Sequence, residues 1–180
     1  VRRHRRGLLA DWLAAAGHRG PELARADAAG HVADAVPPAA ALWPACAGLD
    51  DPAELMQREP LATQLRTLAA ALAGRGKVKA AAAADGLQAS LRTADAATAF
   101  ALAWEALFTK EGEPRQQLGQ HPLLQTVQDE LQAIHHMRRQ QAAHEDHGAM
   151  LRLSRVLLSE YAALKRQRGL VDMPDLERAA

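Results

Sequence analysis

The chain has 180 residues, of which 48% are hydrophobic and only 3% aromatic, and its 22 basic and 21 acidic residues leave a formal net charge of +1. That length allows one domain with its own core, and because the charges nearly cancel, only local clusters of cations are informative about a polyanionic partner. One cysteine, Cys46, excludes an internal disulfide framework, and no apolar run reaches the roughly 20 residues of a membrane span, so we expect a cytoplasmic protein with no membrane partner.

Alanine and leucine dominate the apolar residues and predict an all-α fold. Runs such as residues 68–72 and 80–84 have high helix propensity and lack the alternating, β-branched pattern of a sheet. We therefore expect a multi-helix bundle with almost no strand, and a single helical domain over residues 1–180.

The first half of the chain predicts short helices separated by glycine and proline. Residues 1–16 begin with an arginine run and continue with apolar residues at helical spacing. A second helix is expected from Glu22 to about Val36, before two prolines, and a third from Ala39 to Ala47. Asp50, Asp51 and Pro52 favour the start of a helix over residues 53–73, which Pro60 interrupts.

The second half predicts longer helices. Two are expected at about Lys79 to Leu91 and Asp95 to Phe108, followed by a polar turn over Thr109 to Gln120. From Pro122 to Arg168 the pattern is helical almost without interruption. The scheme is thus a short-helix bundle over 1–120, a long helix or helix pair over 121–169, and the start of another helix over 170–180.

Two apolar stripes mark the long C-terminal helix. They consist of Leu123, Val127, Leu131 and Ile134, and of Met150, Leu153, Leu157, Tyr161 and Leu164, the second at coiled-coil-like spacing. Between them, Met137 to Gly148 is polar on every side. Such a stretch usually bridges solvent between packed ends of a helix.

Two basic clusters are candidate phosphate contacts. Arg75, Lys77 and Lys79 lie in or beside a glycine-containing loop, where cations and backbone amides can approach a phosphate. The Gly-x4-Gly-Lys-Ser/Thr spacing of a nucleotide-binding loop is absent. Lys110 and Arg115 lie in the polar turn, and they either reach phosphates or pair with neighbouring carboxylates.

A histidine-rich stretch is the main candidate for metal binding. His144 and His147 can share a helix face, as metal ligands do, but the pattern His-Glu-Asp-His is one residue shorter than His-Glu-x-x-His. A solvated polar stretch is the simpler interpretation. No serine, cysteine or carboxylate stands in a recognisable catalytic pattern, so we predict no catalytic residue, metal or cofactor in this chain.

The end of the long helix carries a resemblance to a known family. It reads Tyr161, then Lys165, then Gly169, followed by Asp-x-x-Asp-Leu over residues 172–176. This order resembles the point at which a helical insertion of UvrD/Rep-type superfamily 1 helicases returns to the first RecA-like motor domain. Met173 and Pro174 stand where the family usually has an aromatic and an acidic residue.

A second stretch narrows the resemblance. Phe108 to Arg115, which reads FTKEGEPR, is similar to a segment inside that insertion, called 1B, in AddA-type (RecB-like) helicase-nucleases of double-strand break repair. The two motifs stand in the same order, and the similarity covers roughly residues 70–180. The chain is then expected to be a piece of a longer protein, with residues 170–180 returning to the motor domain.

The resemblance implies a function for the parent protein and a passive role for this chain. ATP and Mg²⁺ would be bound by the parent's motor domains, which move 3′ to 5′ along single-stranded DNA, and an AddB-like subunit would be a partner. The insertion would contact duplex or fork DNA through phosphates, by way of Arg75, Lys77, Lys79, Lys110 and Arg115. The alternative class is a helical protein–protein interaction module that does not bind nucleic acid.

Overall fold

The computed structural model describes residues 11 and 19–171. Within them all regular structure is helical, apart from one isolated β-bridge between Phe108 and Pro114, which confirms the predicted all-α, multi-helix fold. The predicted helix over 1–16 and the helix expected after Asp172 lie outside the described residues. The α-helices are α1 (Gly20–Ala28), α2 (Ala39–Leu42), α3 (Leu61–Ala73), α4 (Val78–Arg92), α5 (Ala96–Leu107) and α6 (Pro122–Arg168).

Short 3-10 turns connect several of these helices, at Ala33–Ala35, Pro44–Cys46, Pro52–Gln57 and Gln116–Leu118. In the described part of the chain no helix combines the length and apolar character that a membrane crossing requires. Contacts group the residues into two compact units, one formed by Pro38–Ala142 and the other by the described residues before and after it. The predicted domain scheme divides the chain differently, and its boundaries stay a prediction.

Side-chain caps and a proline explain where three of these elements begin. Asp51 accepts a hydrogen bond from the Ala53 amide at 2.8 Å and forms a capping box with Glu54, which fixes the start of the turn at Pro52–Gln57. Asp95 caps α5 by accepting from the Thr98 amide at 2.8 Å. The predicted interruption at Pro60 is confirmed, since α3 begins only at the next residue.

Two boundaries predicted from the sequence are wrong. The helix expected from Glu22 to Val36 ends at Ala28, because the chain turns at Gly30, whose φ is +79°. The helix expected over Ala39 to Ala47 is two pieces with Trp43 extended between them, at φ −127° and ψ 100°. Trp43 precedes a proline, and the proline ring disfavours the helical conformation for the residue before it.

The core of the larger unit is built from leucine and alanine on α3, α4, α5 and the first part of α6. The small residues allow close approach: a Cβ added at Gly86 of α4 would lie 3.0 Å from the Cβ of Ala106 on α5. Phe108 and Leu118 seal the end of this core beside the polar turn, and both are at most 1% exposed. The core also contains eight almost fully buried aliphatic side chains: Leu65, Leu68, Leu72, Leu87, Leu107, Val127, Leu131 and Ile134.

The smaller unit is formed by α1, the segment after it and the part of α6 from Ala143. Arg155 of α6 makes two hydrogen bonds to the Asp27 carboxylate, of 2.7 and 2.6 Å. His144 and His147 contact the backbone carbonyls of Val36 and Val32, at 2.7 and 2.6 Å. Because a carbonyl oxygen only accepts, Nδ1 of His144 and Nε2 of His147 must carry the donated protons.

These contacts correct the expectation that Met137 to Gly148 bridges solvent. In the larger unit, Arg138 pairs with Asp51 and the side chain of Gln141 accepts from the Ala39 amide at 3.2 Å. In the smaller unit, His144 and His147 donate to the backbone carbonyls of Val36 and Val32. These four polar side chains therefore satisfy backbone and side-chain groups of earlier segments, while Arg139 and Asp146 are exposed.

Candidate nucleic-acid interface

The polar turn after α5 is an ordered loop with a defined base. The Thr109 amide donates to the Glu113 carbonyl at 2.8 Å, and the Arg115 amide donates to the Leu107 carbonyl at 2.9 Å. Gly112, at φ +84°, closes the turn by donating its own amide to the Thr109 carbonyl at 3.1 Å. Lys110 therefore lies at an exposed tip held by backbone hydrogen bonds.

Arg75 fixes the far end of the same loop. Its Nη1 donates to the Leu118 carbonyl at 2.6 Å, and its Nη2 donates to the Gln120 carbonyl. Gly119 lies between these two residues at φ +80°, and a Cβ added there would lie 2.5 Å from Nη1 of Arg75. The guanidinium thus occupies the space that a side chain at position 119 would need, and its two fork nitrogens hold the loop against the end of α3.

Lys79 and Arg115 also contact groups of the protein. Lys79 Nζ donates to the side-chain oxygen of Gln117, and Arg115 donates to the Glu105 carbonyl from Nε at 3.2 Å and from Nη2 at 3.1 Å. Among the described residues the ion pairs do not include Lys110 or Arg115, so the expected alternative of pairing with Glu111 or Glu113 is not observed.

Lys79 and Arg115 line a common cleft of about 620 Å³. Its lining also includes Ala82 and Ala83 of α4, Ala106 of α5, and the acidic residues Glu105 and Glu113. Acidic groups in the same cleft oppose an anion there. The two acidic residues balance the formal charges of Lys79 and Arg115 in the lining.

Lys77 and Lys110 are the two candidate cations with exposed, uncommitted side chains. Lys77 precedes α4 with an extended backbone, directly after Gly76 at φ +65°. Within residues 19–171 neither ammonium group takes part in an ion pair or a side-chain hydrogen bond. Of the five predicted residues, the structure places three as loop supports and leaves these two facing solvent.

The histidines of α6 have structural partners. In the described part of the chain, no group of three His, Cys, Asp or Glu side chains could hold a metal ion. His135 stacks on Trp104, with ring centroids 4.5 Å apart, and burial, together with the nearby positive charges of Arg139, His136 and Arg138, lowers the pKa of His135 below its ordinary value. The Gly-x4-Gly-Lys-Ser/Thr pattern of a phosphate-binding loop does not occur in the sequence.

An aromatic cluster lies behind the loop and combines residues at the end of α5 with residues of α6. Trp104 lies between Phe108, at a centroid distance of 3.9 Å, and His135, while the guanidinium of Arg138 lies 5.0 Å from the Phe100 centroid. Phe100 and Trp104 of α5 and Phe108 directly after it stand four residues apart, a spacing that indicates one helix face. The contribution of α6 depends on how the helices pack, and no local pattern reveals it.

Comparison of the chain with protein-family models, with curated proteins and with solved structures finds no match.

Proposed function

We propose that this chain is an accessory helical domain of an ATP-dependent DNA helicase of the UvrD/Rep type, most similar to the AddA-like subunits of double-strand break repair. In this proposal it contacts duplex or fork DNA through phosphates and reads no bases. ATP, Mg²⁺ and 3′ to 5′ movement belong to the parent's motor domains, an AddB-like subunit is a partner, and the protein acts in the cytoplasm.

The observation that carries the proposal is the way the loop presents Lys110. The stretch that resembles the helicase segment, Phe108 to Arg115, forms a turn with its base closed by backbone hydrogen bonds and its tip exposed. Ordering a loop before binding removes an entropic cost that a flexible loop would meet on contact with DNA. An exposed lysine on an ordered tip suits a phosphate contact.

The remaining cations divide into two roles in this proposal. Lys77 is exposed and joins Lys110 in replacing counterions on the DNA backbone. Arg75, Lys79 and Arg115 are mainly positioning residues, because their donors hold Leu118, Gln117 and Glu105. Few direct contacts predict weak, salt-dependent and sequence-independent binding.

The end of α6 supports the same proposal. Gly169, at φ +63°, follows the last helical residue, and the Leu170 amide donates to the Lys165 carbonyl at 3.0 Å. This six-to-one bond across a left-handed glycine is the Schellman termination, which stops the helix and redirects the chain. A redirected chain at this place suits the proposed return to a motor domain.

Fluorescence anisotropy with a forked DNA at low salt tests the proposal. We expect Lys77→Ala and Lys110→Ala each to weaken binding, because each removes a phosphate contact. Arg92→Ala is the matched control, since it removes one exposed positive charge at the opposite end of α4 from Lys77. Equal weakening by all three variants, or no binding at all, would refute the assigned contacts.

A second candidate function is a helical protein–protein interaction module. The specific observation in its favour is the set of apolar side chains that α6 exposes: Leu153 is 39%, Val156 60% and Leu164 39% exposed. Under this alternative, DNA binding is absent or insensitive to salt and to both lysine substitutions. The same titration therefore separates the two functions.

A further inference from the structure

The C-terminal part of α6 carries a buried row and a largely apolar, partly exposed row on different sides of the helix. The row that packs within its own unit consists of Leu151, Ser154 and Leu158; the first two are 6% and 0% exposed, and a Cβ added at Gly20 of α1 would lie 2.9 Å from Leu158. The second row, which we call the outer row, consists of Met150, Leu153, Leu157, Tyr161 and Leu164.

The outer row remains accessible in the folded chain. Leu153 and Leu164 are each 39% exposed and Tyr161 is 41% exposed, while Met150 and Leu157 are half-buried. The ammonium group of Lys165 lies 5.4 Å from the centroid of the Tyr161 ring. From position 150 to 164 the row extends for about 21 Å along the helix, at about 1.5 Å per residue.

The spacing of the outer row is the same in both directions along the helix. Leu157 stands at its centre, Leu153 and Tyr161 lie four residues on either side, and Met150 and Leu164 lie seven residues on either side. An antiparallel copy of the same helix, related by a two-fold axis at Leu157, would therefore meet an apolar residue at every step. Self-complementarity of this kind is what an isologous contact between two identical chains requires.

The charges at the ends of the row obey the same symmetry. Asp146 precedes Leu157 by eleven residues and Arg168 follows it by eleven, and both are exposed. Antiparallel pairing about Leu157 brings Asp146 of one chain opposite Arg168 of the other, twice in each dimer. A parallel pairing would bring like charges together, which disfavours it.

We propose that the outer row is the contact surface for a second copy of this chain, in an antiparallel, two-fold symmetric helix pair centred on Leu157. An interface with one helix from each chain lies at the small end of specific interfaces, below about 1,200 Å². The dimer is accordingly a weak one that forms as the protein concentration rises. This proposal does not depend on the DNA-binding function.

Charge reversal at the ends of the row tests the pairing without disturbing the packed face. In sedimentation velocity over a concentration series, Asp146→Arg and Arg168→Asp should each weaken dimerisation, because each variant faces two like-charge pairs. The double variant should regain it, and an equimolar mixture of the two single variants should form heterodimers more readily than either forms homodimers. Variants that all dimerise alike would overturn the proposal.

A cysteine crosslink tests the direction and centre of the pair. Leu157→Cys should form a disulfide-linked dimer on air oxidation, since a residue on the two-fold axis meets its own copy within the roughly 7 Å Cα separation that a disulfide allows. Leu164→Cys should not, because antiparallel pairing separates the two copies of position 164 by about 21 Å. The unsubstituted chain is the control for Cys46, which is 3% exposed.

Three further results would also overturn the proposal. The first is a chain that stays monomeric at every concentration, as expected if another segment of the chain or a different protein covers the row. The second is efficient crosslinking of Leu164→Cys, which indicates a parallel pair. The third is an unchanged dimer in the Leu157→Asp variant, which places two carboxylates on the proposed axis.

Discussion

Replacing Arg75 by alanine measures how much the loop over residues 109–120 depends on a single side chain. The substitution removes the hydrogen bond to the Leu118 carbonyl, which is partly buried, and the bond to the Gln120 carbonyl, which is solvent-exposed. A hydrogen bond from a charged donor contributes about 1.5–3 kcal/mol when it is shielded from water. The exposed bond adds little, because water replaces the lost donor, so we expect a loss of about 2 kcal/mol.

Chemical and thermal unfolding followed by circular dichroism provide the measurement. A loss of about 2 kcal/mol corresponds to a Tm lower by about 4–8 °C for a chain of this size. Lys77→Ala is the control, since it removes a nearby exposed cation and should change stability by less than about 0.5 kcal/mol. If Arg75→Ala unfolds like the unsubstituted protein, the guanidinium does not support the loop and the division of roles among the five cations is wrong.

Three further predictions concern the supports of the loop and the core. Gly119→Ala should lower the free energy of unfolding by about 1–2 kcal/mol through its positive φ alone, and by more in the presence of Arg75, whose Nη1 would lie 2.5 Å from the new Cβ. The Arg75→Ala/Gly119→Ala double variant should therefore lose less stability than the sum of the two single variants. Strict additivity would contradict the clash between Arg75 and the new side chain. Asp51→Ala should lower the free energy of unfolding by about 1 kcal/mol through the lost cap. A double-mutant cycle with Arg138→Ala should show a coupling energy of about 1 kcal/mol, because the two hydrogen bonds between these side chains, of 2.9 and 3.0 Å, are half-buried. Zero coupling would show that this ion pair does not stabilise the fold. Because the pKa of His135 is lowered in the folded state, the contribution of His135 to stability is fully present above pH about 6.5 and is lost as the pH falls through the folded pKa. His135→Gln should therefore flatten the dependence of the unfolding free energy on pH below about 6.5. An unchanged pH profile would show that other groups cause this dependence.

The ends of helices could be predicted from the sequence where they depend on neighbouring residues. Asp51 and Asp95 cap helices through bonds to residues two and three positions away, and Pro60 interrupts a helix through its own ring, so each effect is readable in a short window. Trp43 shows the limit. Its alanine-rich neighbours favour a helix, yet the following proline decides its conformation.

The second apolar stripe of α6 illustrates what periodicity does not determine. Spacing alone identifies a row of apolar residues, but two rows overlap in this part of the sequence. Which of them is buried depends on the packing of α6 against α1. Gly20 leaves room for Leu158, so the helix turns Leu151 and Ser154 inward. That choice is a tertiary effect and lies outside any local window.

The candidate site shows the same division. The loop glycines and the positions of the cations are visible in the sequence, whereas the partners of Arg75 lie 43 and 45 residues away. Arg115 likewise donates to the backbone carbonyl of Glu105, ten residues earlier, and not to the nearby carboxylate of Glu113. Composition locates the cations, and packing determines which of them remain available to a ligand.

The salt dependence of fork-DNA binding measures how many phosphates the chain contacts. In plots of log Kobs against log salt concentration, each phosphate contact contributes a slope of about −0.9. We predict that the Lys77→Ala/Lys110→Ala double variant has a slope smaller in magnitude by about 2 than that of the unsubstituted chain, while Arg92→Ala leaves the slope unchanged. Parallel lines for the double variant and the unsubstituted chain would contradict the assignment of these two lysines to the DNA backbone.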